Sequence, residues 1–489
     1  MAASRINFGM VVRVLGGLLL VESAFMLIPV LVALFYDESD WAPFLWTACG
    51  TAIVGLLCNR GIRPASSRFG KRESYLLTAV VWVVFSLAGM APLMVGSAGM
   101  NFSDSFFEAI SSFTTTGATI RPADAPALTH AVLIWEAVMQ WLGGMGIILF
   151  TLAVIPSLNS AGGMQMFNAE VPGITHDKIM PRISQTAISL WAIYAFLTFM
   201  MVILLWAGPM GLFDAVCQAF GTLSTGGYST PTGSETVFSS VYCTIVVTLF
   251  MFLGGINFTL IFNAVLGRWR KVSANDVLRH FIFAILSLTL LFIVSNLVRG
   301  LWNDWRDLSI GPLFQVVSTF TSTGYIWPSF TMWGQFVLAL TFFMMLSGGC
   351  AGSTSGGAKF DRLLYLKRRC SNELQLCIHP TAILSVRING IVQNPEVVNK
   401  VISFLAIYVI SIGVGGLLLT AIGLPSVDSF FSAFACISNT GFGVTVTGYG
   451  DDFATMPDAA NWVLSALMLI GRLDVFTVLV LFTRSFWHR

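Results

Sequence analysis

Charged side chains are scarce in this chain, and their scarcity excludes a water-soluble body. Asp, Glu, Lys and Arg make up 10% of the 489 residues, whereas hydrophobic residues make up 56% and the mean hydropathy is +0.80. So little polar surface cannot cover a soluble protein of this length. The sequence therefore predicts an integral membrane protein embedded in a lipid bilayer. The formal net charge of +2 is too small to indicate a nucleic-acid partner.

Signals of catalysis and of covalent cross-linking are also missing. The eight cysteines form no CxxC pair and share no recurring spacing, so neither a disulfide framework nor a cysteine metal site is expected. The sequence has no P-loop and no nucleophile elbow, and no predicted cytoplasmic stretch is long enough for a catalytic domain. We therefore expect a protein that is not an enzyme.

Long apolar stretches are abundant instead. At about 20 apolar residues per crossing, we predict ten transmembrane helices, at residues 11–36, 43–58, 75–96, 131–155, 183–207, 237–265, 278–298, 332–358, 397–421 and 461–483. Of the 26 Lys and Arg residues, all but Arg121, Arg299, Arg306 and Arg472 fall at the termini or in the loops on one side. The positive-inside rule puts that side, with both termini, in the cytoplasm.

One pattern occurs four times on the opposite side of the membrane. A glycine lies thirteen positions after the start of a mostly apolar stretch, in Asp104–Gly117, Asp214–Gly227, Gly311–Gly324 and Asp428–Gly441. Each stretch predicts a helix of about nine residues that stops part-way into the membrane, where extended backbone survives only if it lines an aqueous pore. The predicted fold is all-α, with an N-terminal helical pair (1–74) and four pseudo-fourfold helix–pore-loop–helix repeats around a central pore, at residues 75–182, 183–276, 277–396 and 397–489.

Motifs in and around these stretches resemble the Trk/Ktr/HKT superfamily of potassium transporters. They are TTTGAT (114–119), STGGYS (224–229), TSTGYI (321–326) and SNTGFG (438–443), together with GGMGI (143–147), GGINF (254–258), SGGCAGSTSGGAK (347–359) and GRLDVF (471–476). The similarity covers essentially the whole chain. The extra N-terminal helical pair makes the chain most similar to the Trk-type membrane subunits.

The resemblance implies a selectivity filter in which backbone carbonyls hold K⁺, with no organic cofactor. Its residues are then Thr115, Thr116, Gly117, Gly226, Gly227, Thr323, Gly324, Thr440 and Gly441. Gly226 and Gly227 compete for the role of filter glycine in the second repeat, and the thirteen-residue offset from Asp214 selects Gly227. Each strand has one recurring glycine and the four strands differ, so we expect K⁺ to be preferred while Na⁺ passes measurably.

The segment Ser347–Lys359 contains five glycines. Each glycine costs about 1 kcal/mol relative to alanine in a helix, which predicts a break in the eighth span. A helix-packing face of small residues is the alternative. The resemblance implies an intramembrane gating loop at residues 347–358, below the filter, with gating residues Gly348, Gly349, Gly352, Ser353, Thr354, Gly356, Gly357 and Arg472.

Arg472 falls inside the last predicted span, where a guanidinium costs about 2.5–3.5 kcal/mol to insert. The resemblance implies that it projects into the pore below the filter and opposes cations, and the alternative is that it snorkels to the cytoplasmic headgroups. Asp474 faces elsewhere on an ideal helix, so we expect carbonyls of the glycine-rich loop to be the partners of Arg472.

Three residues depart from the family pattern. Glu136 stands where the family leads us to expect a basic residue, and we interpret it as a solvated charge in the outer vestibule. Gly311 replaces the aspartate of the other repeats, and Asp474 stands where family members often have glutamate.

These features predict a channel-like potassium uptake subunit of the cell inner membrane. The resemblance implies a homodimer gated by cytoplasmic nucleotide-binding regulatory subunits of the TrkA kind. The alternative is a secondary transporter that couples K⁺ uptake to Na⁺ or H⁺. A proton-coupled carrier normally needs ionisable groups in the membrane core, and we expect the spans to be nearly free of them apart from Arg472 and Asp474.

Overall fold

The computed structural model describes residues 6–62, 70–121, 128–146, 183–301, 305–441 and 453–487. The described chain is mostly helical, as predicted. Its α-helices are Phe8–Phe25, Leu27–Phe35, Trp41–Gly61, Lys71–Gly89, Ala91–Val95, Phe102–Phe113, His130–Gly144, Ile183–Trp206, Leu212–Leu223, Pro231–Ser239, Val241–Gly255, Phe258–Val265, Trp269–Ser273, Asp276–Val298, Trp305–Leu308, Ile310–Phe320, Gln335–Ser347, Phe360–Ile378, Pro395–Ile422, Ser426–Ile437, Asp458–Arg472, Val475–Leu479 and Arg484–Trp487. Short 3₁₀ turns lie at Phe330–Trp333, Phe453–Thr455 and Val480–Phe482.

A small β-hairpin follows the helix Phe360–Ile378. Its strands Arg387–Ile388 and Ile391–Val392 are antiparallel, and Arg387 pairs with Val392. Asn389 and Gly390 form the tip with φ of 51° and 75°. Two successive positive φ angles are the geometry of a type I′ turn, which Asn-Gly favours.

Six segments of the described chain are long and apolar enough to cross a membrane. They are Phe8–Phe35, Trp41–Gly61, Lys71–Val95, Gln185–Trp206, Asp276–Val298 and Pro395–Ile422. Two further helix pairs bend by 106° near Ser239 and by 113° near Arg472, and counting each pair as one span gives up to eight. Part of the predicted span 131–155 lies outside the described residues, and the count of ten stays a prediction.

The long helices turn apolar side chains outward. On Asp276–Val298, the exposed residues Phe283, Leu286, Leu290, Val294 and Leu297 are spaced three or four positions apart. This spacing places them on one face of the helix. An exposed apolar stripe on a helix of 23 residues is the surface that a lipid bilayer covers.

Four shorter helices have mostly buried side chains. We call them short helix 1 to short helix 4, and they are Phe102–Phe113, Leu212–Leu223, Ile310–Phe320 and Ser426–Ile437. Each has 11 or 12 residues and is longer than predicted, because it begins one or two residues before the Asp or Gly that starts the repeat. The aspartates of helices 1, 2 and 4 therefore lie in the first turn, where the helix dipole favours a negative charge.

A glycine on a following helix packs against the end of three of the short helices. A Cβ at Gly143 would overlap the carbonyl oxygen of Phe113, and a Cβ at Gly471 would overlap that of Ile437. At Gly254 it would lie 3.0 Å from the carbonyl oxygen of Leu223. The three carbonyls belong to the last residues of short helices 1, 2 and 4, so the same close crossing recurs.

Candidate functional site

The chain leaves each short helix through a turn of the same backbone geometry. The turns are Thr114–Gly117 (turn 1), Ser224–Gly227 (turn 2), Thr321–Gly324 (turn 3) and Ser438–Gly441 (turn 4). In each, the third residue donates its N–H to the carbonyl five residues earlier, with N···O distances of 2.8, 2.8, 2.8 and 3.0 Å for Thr116, Gly226, Thr323 and Thr440. This is the longer hydrogen bond of a Schellman helix cap.

The second residue of every turn is left-handed although none is glycine. The φ angles are 53° at Thr115, 55° at Thr225, 54° at Ser322 and 51° at Asn439. Left-handed backbone is uncommon for residues other than glycine, and for β-branched threonine it is an outlier. Four such residues at matching positions indicate a backbone that packing holds in place, which is common at binding sites.

The fourth residue of every turn is a glycine with positive φ, namely 76° at Gly117, 85° at Gly227, 90° at Gly324 and 66° at Gly441. Gly226 is not left-handed and matches the position of Thr116. A Cβ on Gly227 would overlap the backbone carbonyl of Thr323, whereas a Cβ on Gly226 would meet the side chain of Gln140. Gly227 is thus the structural equivalent of the other three glycines.

The glycines bring neighbouring turns into direct contact. A Cβ on Gly117 would overlap the carbonyl oxygen of Gly226, and a Cβ on Gly441 would overlap that of Thr116. Together with the contact between Gly227 and Thr323, these pairs join turn 4 to turn 1, turn 1 to turn 2 and turn 2 to turn 3. The Asn439 amide also donates to the Thr116 hydroxyl at 3.0 Å. The predicted filter residues therefore lie together, packed backbone against backbone.

Buried side chains of the short helices form hydrogen bonds with the segments that follow the turns, and they were not among the predicted site residues. Glu108, Gln218 and Gln315 each stand nine positions before their glycine. They accept hydrogen bonds from the Ile120 N–H at 3.3 Å, the Ser229 hydroxyl at 2.5 Å and the Trp327 N–H at 2.8 Å, respectively. Aligning the four repeats position by position would have shown this recurring polar residue.

Gln140 is a further residue that the sequence analysis missed. Its Nε2 donates to the Gly226 carbonyl at 2.9 Å, and its Oε1 accepts from the Tyr228 N–H at 3.3 Å. The side chain is fully buried and spans both sides of Gly227. Only its position in the fold reveals this role, because Gln140 lies on the helix His130–Gly144, 87 positions before Gly227 in the chain.

The interpretation of Glu136 as a solvated vestibule charge is wrong. Glu136 is 2% exposed, and its carboxylate accepts a 2.8 Å hydrogen bond from Arg121, which also reaches Glu108 at 3.2 Å. Two buried carboxylates, those of Glu108 and Glu136, therefore share the guanidinium of Arg121, four residues after turn 1. Arg121 is the basic partner that compensates for the burial of Glu136.

The predicted break in the eighth span is present. The helix ends at Ser347, the next helix begins at Phe360, and Gly348, Gly352 and Gly357 in between have positive φ. We call residues 348–359 the glycine loop. Glycine is favoured at these three positions because a side chain in this backbone conformation would be strained.

The glycine loop contacts the short helices and the turns. The Thr354 hydroxyl reaches the Leu223 carbonyl at 3.0 Å, at the end of short helix 2. The Gly356 N–H donates to the Ser322 hydroxyl in turn 3 at 2.6 Å, and a Cβ on Gly356 would meet Asn439 of turn 4 at 2.6 Å. The loop thus lies against the C-terminal ends of the short helices.

Arg472 reaches the glycine loop from the last long helix. Its guanidinium donates to the Thr354 carbonyl at 2.7 Å and to the carbonyls of Gly143 and Gly144 at 2.6 and 2.8 Å. Hydrogen bonds to a loop carbonyl were predicted, but those to Gly143 and Gly144 were not. Gly471 packs against the end of short helix 4 in the same way as Gly143 packs against the end of short helix 1. Arg472, the residue after Gly471, therefore corresponds in position to Gly144.

Two further cations lie near this contact. Lys359 is buried, and its ammonium donates to the Ser355 carbonyl. Arg362 forms two hydrogen bonds with Asp474, at 2.6 and 3.2 Å, and its guanidinium lies 3.6 Å from the Phe404 ring centroid. This ion pair connects the helix Phe360–Ile378, which follows the glycine loop, to the bend after Arg472. Asp474 is therefore the ion-pair partner of Arg362.

The expectation that the spans carry almost no other ionisable groups is wrong. Glu22 lies inside the first predicted span and is completely buried, and among the described residues neither oxygen of its carboxyl group has a hydrogen-bond partner. Glu136, in the fourth predicted span, is the second exception.

Comparisons with known proteins cover the whole chain. The family model TrkH, a cation transport protein, matches residues 50–303 and 304–489. The Trk system potassium uptake proteins TrkH of Salmonella typhimurium and Escherichia coli are each 35% identical, over 485 and 488 residues, covering 99% of this chain and 100% of theirs. The crystal structure of the potassium transporter TrkH from Vibrio parahaemolyticus is similar with a TM-score of 0.88 at 32% identity, covering 98% of this chain and 100% of that chain.

Proposed function

The chain belongs to the TrkH family of cation transport proteins, and from this premise we propose that it is the potassium-translocating subunit of a Trk uptake system in the inner membrane. The proposal has K⁺ passing through a filter made of turns 1 to 4. The observation that carries it is the packing of the turns, in which each of Gly117, Gly227 and Gly441 lies against a backbone carbonyl of a neighbouring turn. Backbone carbonyls gathered at one constriction can replace the hydration shell of K⁺.

The ends of the short helices add an electrostatic argument. Each short helix ends at its turn, so its C-terminal partial negative charge lies beside the proposed filter. Four such ends favour a cation over an anion. The glycines Gly117, Gly227 and Gly324 are partly exposed while the residue before each is buried, which fits a backbone that faces a narrow aqueous space.

We propose that the glycine loop and Arg472 form the gate. The loop lies against turns 3 and 4, and Arg472 holds it through the Thr354 carbonyl. Opening then requires the loop to move away from the turns. The cytoplasmic trigger in this proposal is a nucleotide-binding regulatory subunit of the TrkA kind, acting on a homodimer of this chain.

Coupled transport is the second candidate function, and the buried carboxyl groups favour it. Glu22 has no hydrogen-bond partner for its carboxyl oxygens in the part of the chain that the structure describes, and Glu108 and Glu136 share one arginine. Ionisable groups inside the membrane are the usual carriers of protons in transporters. Glu22 lies in the N-terminal helical pair, however, outside the four proposed repeats.

An electrical measurement on purified protein in liposomes distinguishes the two functions. For channel-like translocation, we expect K⁺ currents that reverse at the K⁺ equilibrium potential at every external pH and Na⁺ concentration. A reversal potential that shifts with the H⁺ gradient in the wild type, and no longer shifts in Glu22→Gln, would establish coupling instead. The comparison should include the regulatory subunit, because the proposed gate is closed without it.

A further inference from the structure

The residue directly after each proposed filter glycine has an unusual set of partners. In repeats 1 to 3 this residue is Ala118, Tyr228 or Tyr325, and its carbonyl oxygen accepts a hydrogen bond from a hydroxyl group. The Ala118 carbonyl lies 2.6 Å from the Ser111 hydroxyl and 2.7 Å from the Tyr228 hydroxyl. The Tyr325 carbonyl accepts from the Ser318 hydroxyl at 2.8 Å.

Repeat 2 has no serine to do this. Ser111 and Ser318 each stand six positions before their glycine, and the matching residue in repeat 2 is Gly221. A Cβ on Gly221 would overlap the Tyr228 carbonyl, so no serine fits there. The Tyr325 hydroxyl approaches from repeat 3 and donates to the Tyr228 carbonyl at 3.2 Å.

The two tyrosines make the same kind of contact in the same direction. Tyr325 reaches from repeat 3 to repeat 2, where its hydroxyl also lies 3.1 Å from the Thr222 hydroxyl. Tyr228 reaches from repeat 2 to repeat 1, where its hydroxyl also lies 2.9 Å from the Glu108 carboxylate. A phenol has one proton, but the three acceptors of Tyr228, which are the Ala118 carbonyl, the Glu108 carboxylate and the Ser111 hydroxyl at 3.4 Å, all belong to repeat 1, so any of these hydrogen bonds joins the two repeats.

We propose that Tyr228 and Tyr325 are positioning residues that fix the spacing of the filter turns and thereby set the discrimination between K⁺ and Na⁺. The inference rests on the proposed filter function. Selectivity by backbone carbonyls depends on the number and the positions of the oxygens around the ion. The tyrosine hydroxyls link the backbone segments of neighbouring repeats one residue beyond the glycines, and the glycines themselves have no side chains that could fix the spacing of the turns.

The same position has no hydroxyl in the other two repeats. Repeat 1 has Ala118, and repeat 4 has Phe442, which lies outside the described residues. A tyrosine hydroxyl therefore links repeat 2 to repeat 1 and repeat 3 to repeat 2, and loss of either hydroxyl should affect selectivity. The junction between turns 4 and 1 has the Asn439 to Thr116 hydrogen bond instead.

The test replaces each tyrosine by phenylalanine, which keeps the ring and removes only the hydroxyl. For Tyr228→Phe and for Tyr325→Phe we expect the K⁺/Na⁺ permeability ratio to fall about two- to tenfold, the effect of losing one buried hydrogen bond. The ratio is taken from reversal potentials under bi-ionic conditions, which do not depend on the amount of protein. Tyr242→Phe is the matched control, because the Tyr242 hydroxyl donates to the Leu204 carbonyl at 2.8 Å on an exposed face.

Gly227→Ala separates the inference from the function on which it rests. If Gly227→Ala lowers the permeability ratio but both tyrosine variants keep the wild-type ratio, the positioning role is refuted and the filter stands. If Gly227→Ala also keeps the wild-type ratio, the filter and the inference both fail. A lower ratio in both tyrosine variants, with the wild-type ratio in Tyr242→Phe, supports the inference.

Discussion

Arg472 marks a difference between two helices that pack in the same way. Gly143 and Gly471 pack in the same way against the ends of short helices 1 and 4. The next residue is Gly144 in the first case and Arg472 in the second. A side chain as long as arginine fits at 472 because the glycine loop and Gly144 offer it carbonyl oxygens.

We predict that Arg472→Ala raises K⁺ flux in the absence of the regulatory subunit. A positive charge about 6 Å from a K⁺ ion repels it by roughly 3 kcal/mol at an effective dielectric of 20, equivalent to about a hundredfold in rate. The hydrogen bonds of Arg472 to the loop offset part of this charge, so we expect an increase of about tenfold or more. Arg472→Lys keeps the charge and should raise the flux less.

Liposome flux per folded molecule measures this effect. Arg484→Ala is the control, because Arg484 is exposed near the end of the chain and its loss removes a positive charge away from the glycine loop. An unchanged or lower rate for Arg472→Ala would remove the arginine from the proposed gate. Equal increases in Arg472→Ala and Arg484→Ala would point to a general effect of charge on the cytoplasmic surface.

At the scale of elements, the glycine loop leaves the end of one helix and returns close to the point where it started. A Cβ on Gly357 would lie 2.9 Å from the Gly348 α-carbon, so the two ends of the loop are already in contact. Between them the chain leaves the helix and returns. Its hydrogen bonds to Gly254, Gly255 and Ser322 attach it to neighbouring elements.

This geometry makes a deletion feasible and predicts its effect. Joining Gly348 to Gly357 by removing residues 349–356 should leave the flanking helices in place, because the ends meet without the loop. We expect K⁺ flux that no longer requires the regulatory subunit, measured in liposomes with and without that subunit. Ala351→Ser keeps the full loop and should retain the dependence. Flux that still needs the subunit after the deletion, in protein that folds and inserts, would show that the gate lies elsewhere.

At the scale of the whole molecule, the sequence predicted what depends on local spacing. The offset of thirteen residues located the four glycines and chose Gly227 over Gly226, because short helix and turn have nearly the same length in every repeat. The run of glycines predicted the break after Ser347, since helix propensity is a local property.

Contacts between distant parts of the chain were not predictable in this way. Gln140 lies 86 residues before the Gly226 carbonyl it contacts, and Tyr228 lies 110 residues after the Ala118 carbonyl. The burial of Glu136 is compensated by Arg121, whose proximity depends on how the helices Phe102–Phe113 and His130–Gly144 and the segment after turn 1 meet. Span counting also failed to foresee the bends near Ser239 and Arg472, since an apolar composition is the same in straight and bent helices.

The orientation of the whole molecule in the membrane is predicted only from the distribution of its Lys and Arg residues. The predicted spans 237–265, 278–298 and 332–358 lie between Glu235 and Ile383, and three crossings place these residues on opposite sides. From the basic residues near Ile383, such as Arg387 and those of the helix Phe360–Ile378, the positive-inside rule predicts that Ile383 lies in the cytoplasm. Glu235 follows turn 2, and we predict that it lies outside, on the same side as the four turns.

Cysteine labelling in intact cells tests this arrangement. Glu235 and Ile383 are both exposed, and each is replaced by cysteine in a background in which Cys49, Cys58, Cys370 and Cys377 are serine. We expect a membrane-impermeant maleimide to label Glu235→Cys in intact cells, and to label Ile383→Cys only after the membrane is permeabilised. The cells should lack the regulatory subunit, so that it does not cover Ile383. Labelling of both cysteines from the same side would mean an even number of crossings between them, and the bent segment Pro231–Gly255 or the interrupted segment at Ser347 would then be re-entrant and not a span.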